Sequence, residues 1–408
     1  MSADLASTIP HIAQTPAPHI NPRERLHGLD LLRTAAILLV IVWHLPHSVY
    51  PLPWRPATWA GVDLFFVLSG YLIGSQLMRP YANAMRPSYL DFFLRRAIRI
   101  LPAYLVVLLI YFTIPQFREQ SNISPWWKFL TFTQNLGLDA HTAGAFSHAW
   151  SLCVEEHFYL LLPIIVYGFM RRPSLMKAGV LVAAIILFGL IARSFLWMHY
   201  IAPISTPGWQ LGNKYLEAIY YPTYTRLDGL LVGVLLAAAK LFRPAWWAKI
   251  TSHGNALLGA GTLILMISFW ICQDMFSFAT AAVGYPLLAA GFGLLVLSSL
   301  SQGSILAKHR VIGATTGATL AYSTYLTHKA VMHLDQQYLS RFLPLEGLFG
   351  LAIYGFSFLI VASALYLLVE RPFLKLRDKI LGSQLRTSKR DPLPEGANVD
   401  EALRPMTT

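Results

Sequence analysis

Apolar positions dominate long stretches of this chain, and polar residues fall between them in clusters. Ten runs are long enough to span a bilayer, which takes about 20 residues as a helix. They lie near residues 30–49, 58–78, 97–115, 149–170, 177–197, 222–241, 255–272, 279–299, 312–334 and 347–369. The pattern predicts an all-α polytopic membrane protein, a bundle of about ten transmembrane helices. "SYLDFFLRR" ahead of the third run has the pattern of an amphipathic helix on the inner surface, with Ser88 as its N-cap. Two long loops, roughly 116–148 and 198–221, are rich in Pro, Gly, Trp and Asn and are expected to cover the outer mouth in part.

The first run, "GLDLLRTAAILLVIVWHLP", contains three ionisable groups, Asp30, Arg33 and His44. His44 follows Arg33 by eleven residues, about 20° past three full turns and about 16 Å along the axis. Both side chains therefore point the same way, one near each end. Asp30 lies one turn before Arg33 and can pair with it. A helix that only anchors has no use for this spacing; a helix lining a path across the membrane does.

Basic residues then set the orientation. With the N-terminus in the cytoplasm, 23 of the 32 Lys and Arg fall in inner segments, and outer loops keep Arg55, Arg118, Lys128, Lys214 and Arg341. Cytoplasmic loops collect basic residues, so both termini are expected inside. The net charge of +12 would suit nucleic acid in a soluble protein. With 55% hydrophobic residues, 13% charged residues and a mean hydropathy of +0.49, it reports topology instead, and no nucleic-acid partner is expected. Residues 1–25 form a cytoplasmic segment with no apolar run, so the first helix is expected to act as an uncleaved anchor. Residues 26–378 form the membrane domain. Residues 379–408 are polar and Pro-containing, as in a disordered cytoplasmic tail.

Counting depth from the outer end of each run places further ionisable residues in the layer of His44. These are Asp63, Glu155, Glu156, His157, Arg226, Asp228, His328 and Lys329. Ionisable groups inside a membrane face a bundle interior or a wet cavity and pair there, so this layer is the candidate reaction site. At the inner face, Arg33 meets "RRAIRILP", where Arg95, Arg96 and Arg99 share a helix face at i,i+3 and i,i+4. Arginine suits bidentate phosphate binding, although positive-inside anchors have the same pattern. Plainer alternatives hold elsewhere too. Asp63 and the glutamates can be structural ion partners of Arg226. Ser69 in "LSGY" suits close helix packing better than nucleophilic attack. His157 and His333 suit packing or loop roles. Two cysteines, Cys153 and Cys272, cannot form a disulfide scaffold, and no Cys/His spacing suggests zinc.

In these residues the chain resembles the acyltransferase-3 family of membrane acyltransferases. The resemblance rests on "GLDLLRTAAILLVIVWH", "GVDLFFVLSGYLI", "RRAIRILPAY", "AWSLCVEEHFYLLLP", "RLDGLLVG", "AYSTYLTH" and "ERPF", in that order over about residues 26–378. His157 departs from it, since the family more often has Gln there. The resemblance implies a bacterial inner-membrane enzyme that moves an acyl group, usually acetyl, from cytoplasmic acetyl-CoA to a hydroxyl. Acceptors include lipopolysaccharide and other envelope carbohydrates, lipid-linked glycans and, in some members, macrolides. It maps the family's Arg and His motif to Arg33 and His44, its arginine motif to Arg95 and Arg99, and its acidic motif to Glu155 and Glu156. On this reading Arg33, Arg95, Arg96 and Arg99 bind the CoA phosphates. His44 is the base or acyl carrier, oriented by Asp63 or a glutamate. Arg226 serves the oxyanion, and Trp150, Asp228 and His328 face the acceptor. No metal is required. A transporter with a buried polar site is the rival class, although paired broken helices and repeats are not evident.

Overall fold

The structure is a computed structural model that describes residues 27–49, 55–171, 173–205 and 208–387. The 1–25 segment and the tail beyond Thr387 lie outside the described residues. Each of the ten apolar runs is a helix. In chain order these are α1 His27–His44, α2 Gly61–Ala82, α3 Tyr89–Thr113, α4 Trp150–Arg171, α5 Leu175–Leu196, α6 Asp228–Phe242, α7 Gly254–Ile271, α8 Tyr285–Ser299, α9 Ala314–Tyr338 and α10 Gly347–Leu365. An eleventh helix, α11 Arg371–Thr387, extends into the segment expected to be disordered. Among the described residues no strand forms, and the backbone pairs in β fashion only in bridges from Ile123 to Gly144 and Ala145.

Seven of the described helices are long and apolar enough to cross a membrane, or eight if α6 and the short helix Pro244–Thr251, bent by 112°, form one span. Two long helices, α3 and α9, fall outside that set. α9 is polar along a largely buried face, with Ser323, Thr327 and His328 nearly inaccessible. A helix in the middle of a bundle need not be apolar if its polar groups find partners.

Ser88 does cap a helix, accepting the Asp91 N–H at 3.2 Å. That helix is α3 itself, continuous from Tyr89 to Thr113, so "SYLDFFLRR" is its first turns and not a separate surface helix. The predicted sixth span also starts late: residues 222–227 form a short turn, and α6 begins at Asp228.

α2 and α6 make the closest crossing. A Cβ on Gly70 would lie 2.1 Å from the Leu230 carbonyl oxygen, and one on Gly233 would lie 2.2 Å from that of Val67. Only glycine lets the two backbones approach this closely. In "LSGY" the close packing falls to Gly70, whereas Ser69, for which the sequence predicts that role, donates to Glu155 at 2.8 Å and lines a cavity.

The two long loops sit at one end of the bundle and bond to each other. Asn135 donates to the Tyr221 carbonyl at 3.1 Å, and Asn213 donates to Asp139 at 2.7 Å. Slight burial alone would raise the Asp139 pKa. Donation from Asn213, the His141 N–H and Thr142 outweighs it and holds the carboxyl below the usual range. The loop chain also reaches inward. Phe129 and Phe146 are fully buried and stack with each other, and Phe146 stacks on Tyr104 and Tyr111. Cys153 and Cys272 are both buried and free.

Candidate active site

Two cavities meet inside the bundle. The larger, about 500 Å³, opens at the end of the bundle opposite the long loops. Arg33 of α1, Arg95, Arg96 and Arg99 of α3 and Arg377 of α11 line it. The facing wall holds Ser69, Ser151, Glu155 and Tyr322. The smaller, about 110 Å³, lies toward the loops and is lined by His44, His148, Trp43, Trp59, Trp150 and Tyr220 among others. Val62 and Tyr325 belong to both walls and form the partition between them. The eleven-residue spacing in α1 does what the helical period requires: Arg33 faces the first cavity and His44 the second.

Charge in the larger cavity is unbalanced. Its carboxylate, Glu155, is committed to Arg96, whose Nη2 donates to it at 3.2 Å. Ser69 and Tyr159 also donate to Glu155, at 2.8 and 2.9 Å, and the Arg96 guanidinium lies over the Tyr159 ring at 3.4 Å. Arg377 pairs with its neighbour Asp378 at 2.7 Å. Among the described residues no ion pair engages Arg33, Arg95 or Arg99. Several guanidinium groups gathered round one space without ion pairs can form a site for an anion, and their planar forks fit phosphate.

The sequence placed Glu155 and Glu156 in the layer of His44. In the structure they sit with Arg96, Glu156 at 3.7 Å from its Nε. Counting depth from a loop assumes that the helix starts at the end of the bundle. α4 starts deeper, because the segment before it is itself packed inside.

His44 is oriented by other groups than those expected. Its Nδ1 lies 2.8 Å from the Val40 carbonyl oxygen and 3.3 Å from Nε2 of His328. His328 in turn donates from Nδ1 to the Tyr325 carbonyl at 2.8 Å. The proton is therefore assigned to Nδ1 of His44, which leaves its Nε2 with a lone pair. His328 is fully buried behind His44 and is not among the residues of the small cavity wall. His148 completes the group, its ring 4.9 Å from that of His328. It is 3% exposed, and its Nδ1 has no hydrogen-bond partner.

Asp63 and Arg226 pair with each other at 2.8 Å and line neither cavity. The Arg226 guanidinium is caged by the rings of Tyr285 at 4.1 Å, Tyr220 at 4.4 Å and Trp150 at 5.4 Å. Asp63 is thus turned to Arg226, and the pair lies behind the aromatic wall of the small cavity. Asp228 is likewise held by Arg193, at 2.8 Å, and lines neither cavity. Trp150 does line the small cavity. Replacing Asp63 by alanine is expected to strand Arg226 as a buried unpaired charge and cost about 3–5 kcal/mol. Thermal unfolding in detergent measures this. Unchanged stability with lost turnover would return Asp63 to the reaction.

Sequence reasoning missed His148 and Tyr325. The Tyr325 hydroxyl donates to the His148 carbonyl at 2.5 Å and shares a 2.6 Å hydrogen bond with Ser151. A signal was present: Tyr325 is three residues before His328 on one helix face, and His148 two residues before Trp150.

Comparison with known proteins decides the family. Residues 26–367 match the family model described as an acyltransferase domain. The chain belongs to the acyltransferase-3 family. It is similar to the O-acetyltransferase OatA of Staphylococcus aureus strain NCTC 8325, at 26% identity over 379 residues, covering 86% of this chain and 57% of that protein. It is also similar to the putative O-acetyltransferase SACOL0978 of Staphylococcus aureus strain COL, at 27% identity over 373 residues, covering 85% of this chain and 57% of the relative. The chain thus spans a little more than half the length of these relatives. No solved structure matches it.

Proposed function

We propose that this protein transfers an acyl group, acetyl by preference, from acyl-CoA to a hydroxyl of an envelope carbohydrate. The observation that carries this reading is the junction at Tyr325, where a cavity holding Arg33, Arg95 and Arg99 without ion pairs abuts the cavity of His44. Coenzyme A is a long donor with phosphates at one end and a thioester at the other. Its phosphates fit Arg33, Arg95 and Arg99, and its pantetheine arm would run along α1 toward the partition. The small cavity suits a two-carbon acyl group better than a long chain, and the relatives are named as O-acetyltransferases.

The basic end is assigned to the cytoplasm, with ten crossings and both termini inside the bacterial inner membrane, on the asymmetry of Lys and Arg. In the reaction, Nε2 of His44 has the lone pair. An alcohol is a poor nucleophile at neutral pH, so a positioned base removes its proton as the C–O bond forms and returns it to the CoA sulfur as the C–S bond breaks. Alternatively Nε2 attacks the thioester carbon itself, the C–S bond breaks, and the acyl group moves from the imidazole to the alcohol. In both routes His328 and the Val40 carbonyl stabilise the charge on the ring through Nδ1–H.

The test is release of CoA from acetyl-CoA by the purified protein, with glycan extracted from the bacterial envelope as acceptor. Release that depends on the glycan is expected. Neither release nor binding of acetyl-CoA would favour a transporter and reduce the arginines to topology anchors.

A further inference from the structure

A third concavity continues the series. A groove of about 700 Å³ runs between the two long loops, and Leu216 and Phe276 belong both to its wall and to that of the His44 cavity. Trp209, Asn213, His141, Gln120 and Asp274 also line it.

Its surface is built rather than incidental. Trp209 and Asn213 are four residues apart in the helix Trp209–Tyr215, so they share a face. The Trp209 ring is 64% exposed and is backed by His141, stacked at 4.7 Å and 24°. Asp139 holds both sides of the groove together, accepting from Asn213 at 2.7 Å and from the His141 N–H at 2.9 Å. Asp274 is fixed by the Phe276 N–H at 2.9 Å, and Trp197 donates to the Phe276 carbonyl at 2.9 Å. The result is an aromatic plate rimmed by amide and carboxylate side chains, and among the described lining residues there is no Lys or Arg.

We infer that this groove is the docking site for neutral sugar rings of the acceptor, with one ring on the exposed face of Trp209. A pyranose presents a face of C–H bonds to an aromatic plane and a rim of hydroxyls to amides and carboxylates. Binding sites commonly combine apolar walls with a few placed polar groups in this way. The absence of lysine and arginine from the wall speaks against an anionic segment such as a lipid phosphate. Continuity through Leu216 and Phe276 lets a chain held here extend one hydroxyl toward His44. The inference rests on the proposed transfer to carbohydrate.

The test uses the full-length protein with acetyl-CoA and extracted envelope glycan, comparing wild type with Trp209→Ala and Trp209→Phe. The alanine variant is expected to raise the apparent KM for glycan about tenfold, the value of one aromatic stacking contact. The phenylalanine variant should recover most of it, and the KM for acetyl-CoA should hold. An interfacial anchor would instead reduce the amount of protein in the membrane and leave the glycan KM alone, and that result overturns the inference. So does an equal rise in both KM values. Failure of the wild type to transfer to glycan at all is a separate outcome. It removes the proposed function, and the groove with it.

Discussion

Alanine at His44 is expected to lower acyl transfer by about 10²–10⁴-fold, the range for loss of a positioned acid–base group. The protein should remain folded in the membrane, because His44 lies at the last turn of α1 and its ring faces a cavity. The KM for acetyl-CoA should change little, since the arginines that fit its phosphates lie about three helical turns away. The two chemical routes then separate by a second measurement. With labelled acetyl-CoA and no acceptor, an acyl-carrier histidine takes up about one label per protein, released by mild alkali and absent from His44→Ala. A histidine acting only as base takes up none. Full activity in the alanine variant would sink both routes and leave His148, whose Nδ1 lacks a partner, as the next candidate.

How far the site could be read beforehand depends on the range of the interaction. The pairing of Arg33 and His44 on one face of α1 follows from the helical period alone, and so does the shared face of Arg95, Arg96 and Arg99. Partners across the bundle do not follow from it. Asp63 and Arg226 are 163 residues apart, and nothing local indicates that they choose each other over His44. Depth fails as a guide wherever a helix starts inside the bundle. The sequence points Glu155 to the His44 layer only if α4 begins at the end of the bundle, whereas the buried aromatic segment around Phe146 sinks its start. His148 escaped because it stands in "SHAW", a stretch without period. His328 is legible as a buried ionisable residue, but its contact with His44 is not: on a buried face a residue that touches a catalytic candidate looks the same in sequence as one that touches substrate.

Loss of the unpaired arginines should act on the donor and on its phosphates alone. Arg33→Ala or Arg99→Ala each removes a charged hydrogen-bond donor worth about 1.5–3 kcal/mol, or about ten- to a hundredfold in affinity. Arg99→Lys keeps the charge but not the planar fork, and should fall between. The decisive comparison is with acetyl-pantetheine, which has the thioester but no phosphates. Wild type should prefer acetyl-CoA strongly, and that preference should shrink in the alanine variants because acetyl-pantetheine gains nothing from these side chains. A preference that survives would mean that the arginines mark topology, and the donor site would have to be sought elsewhere. Arg96→Ala should behave differently although it lines the same cavity. Its guanidinium is bound to Glu155 and stacked on Tyr159, so its loss strands a carboxylate beside the donor site. The consequence is weaker folding together with weaker binding, and a second change, Glu155→Gln, should restore part of the stability without restoring activity. The arginines of one cavity should thus divide by their partners: Arg33, Arg95 and Arg99, without an ion pair, should answer to the ligand, and Arg96, held by Glu155, first to the fold.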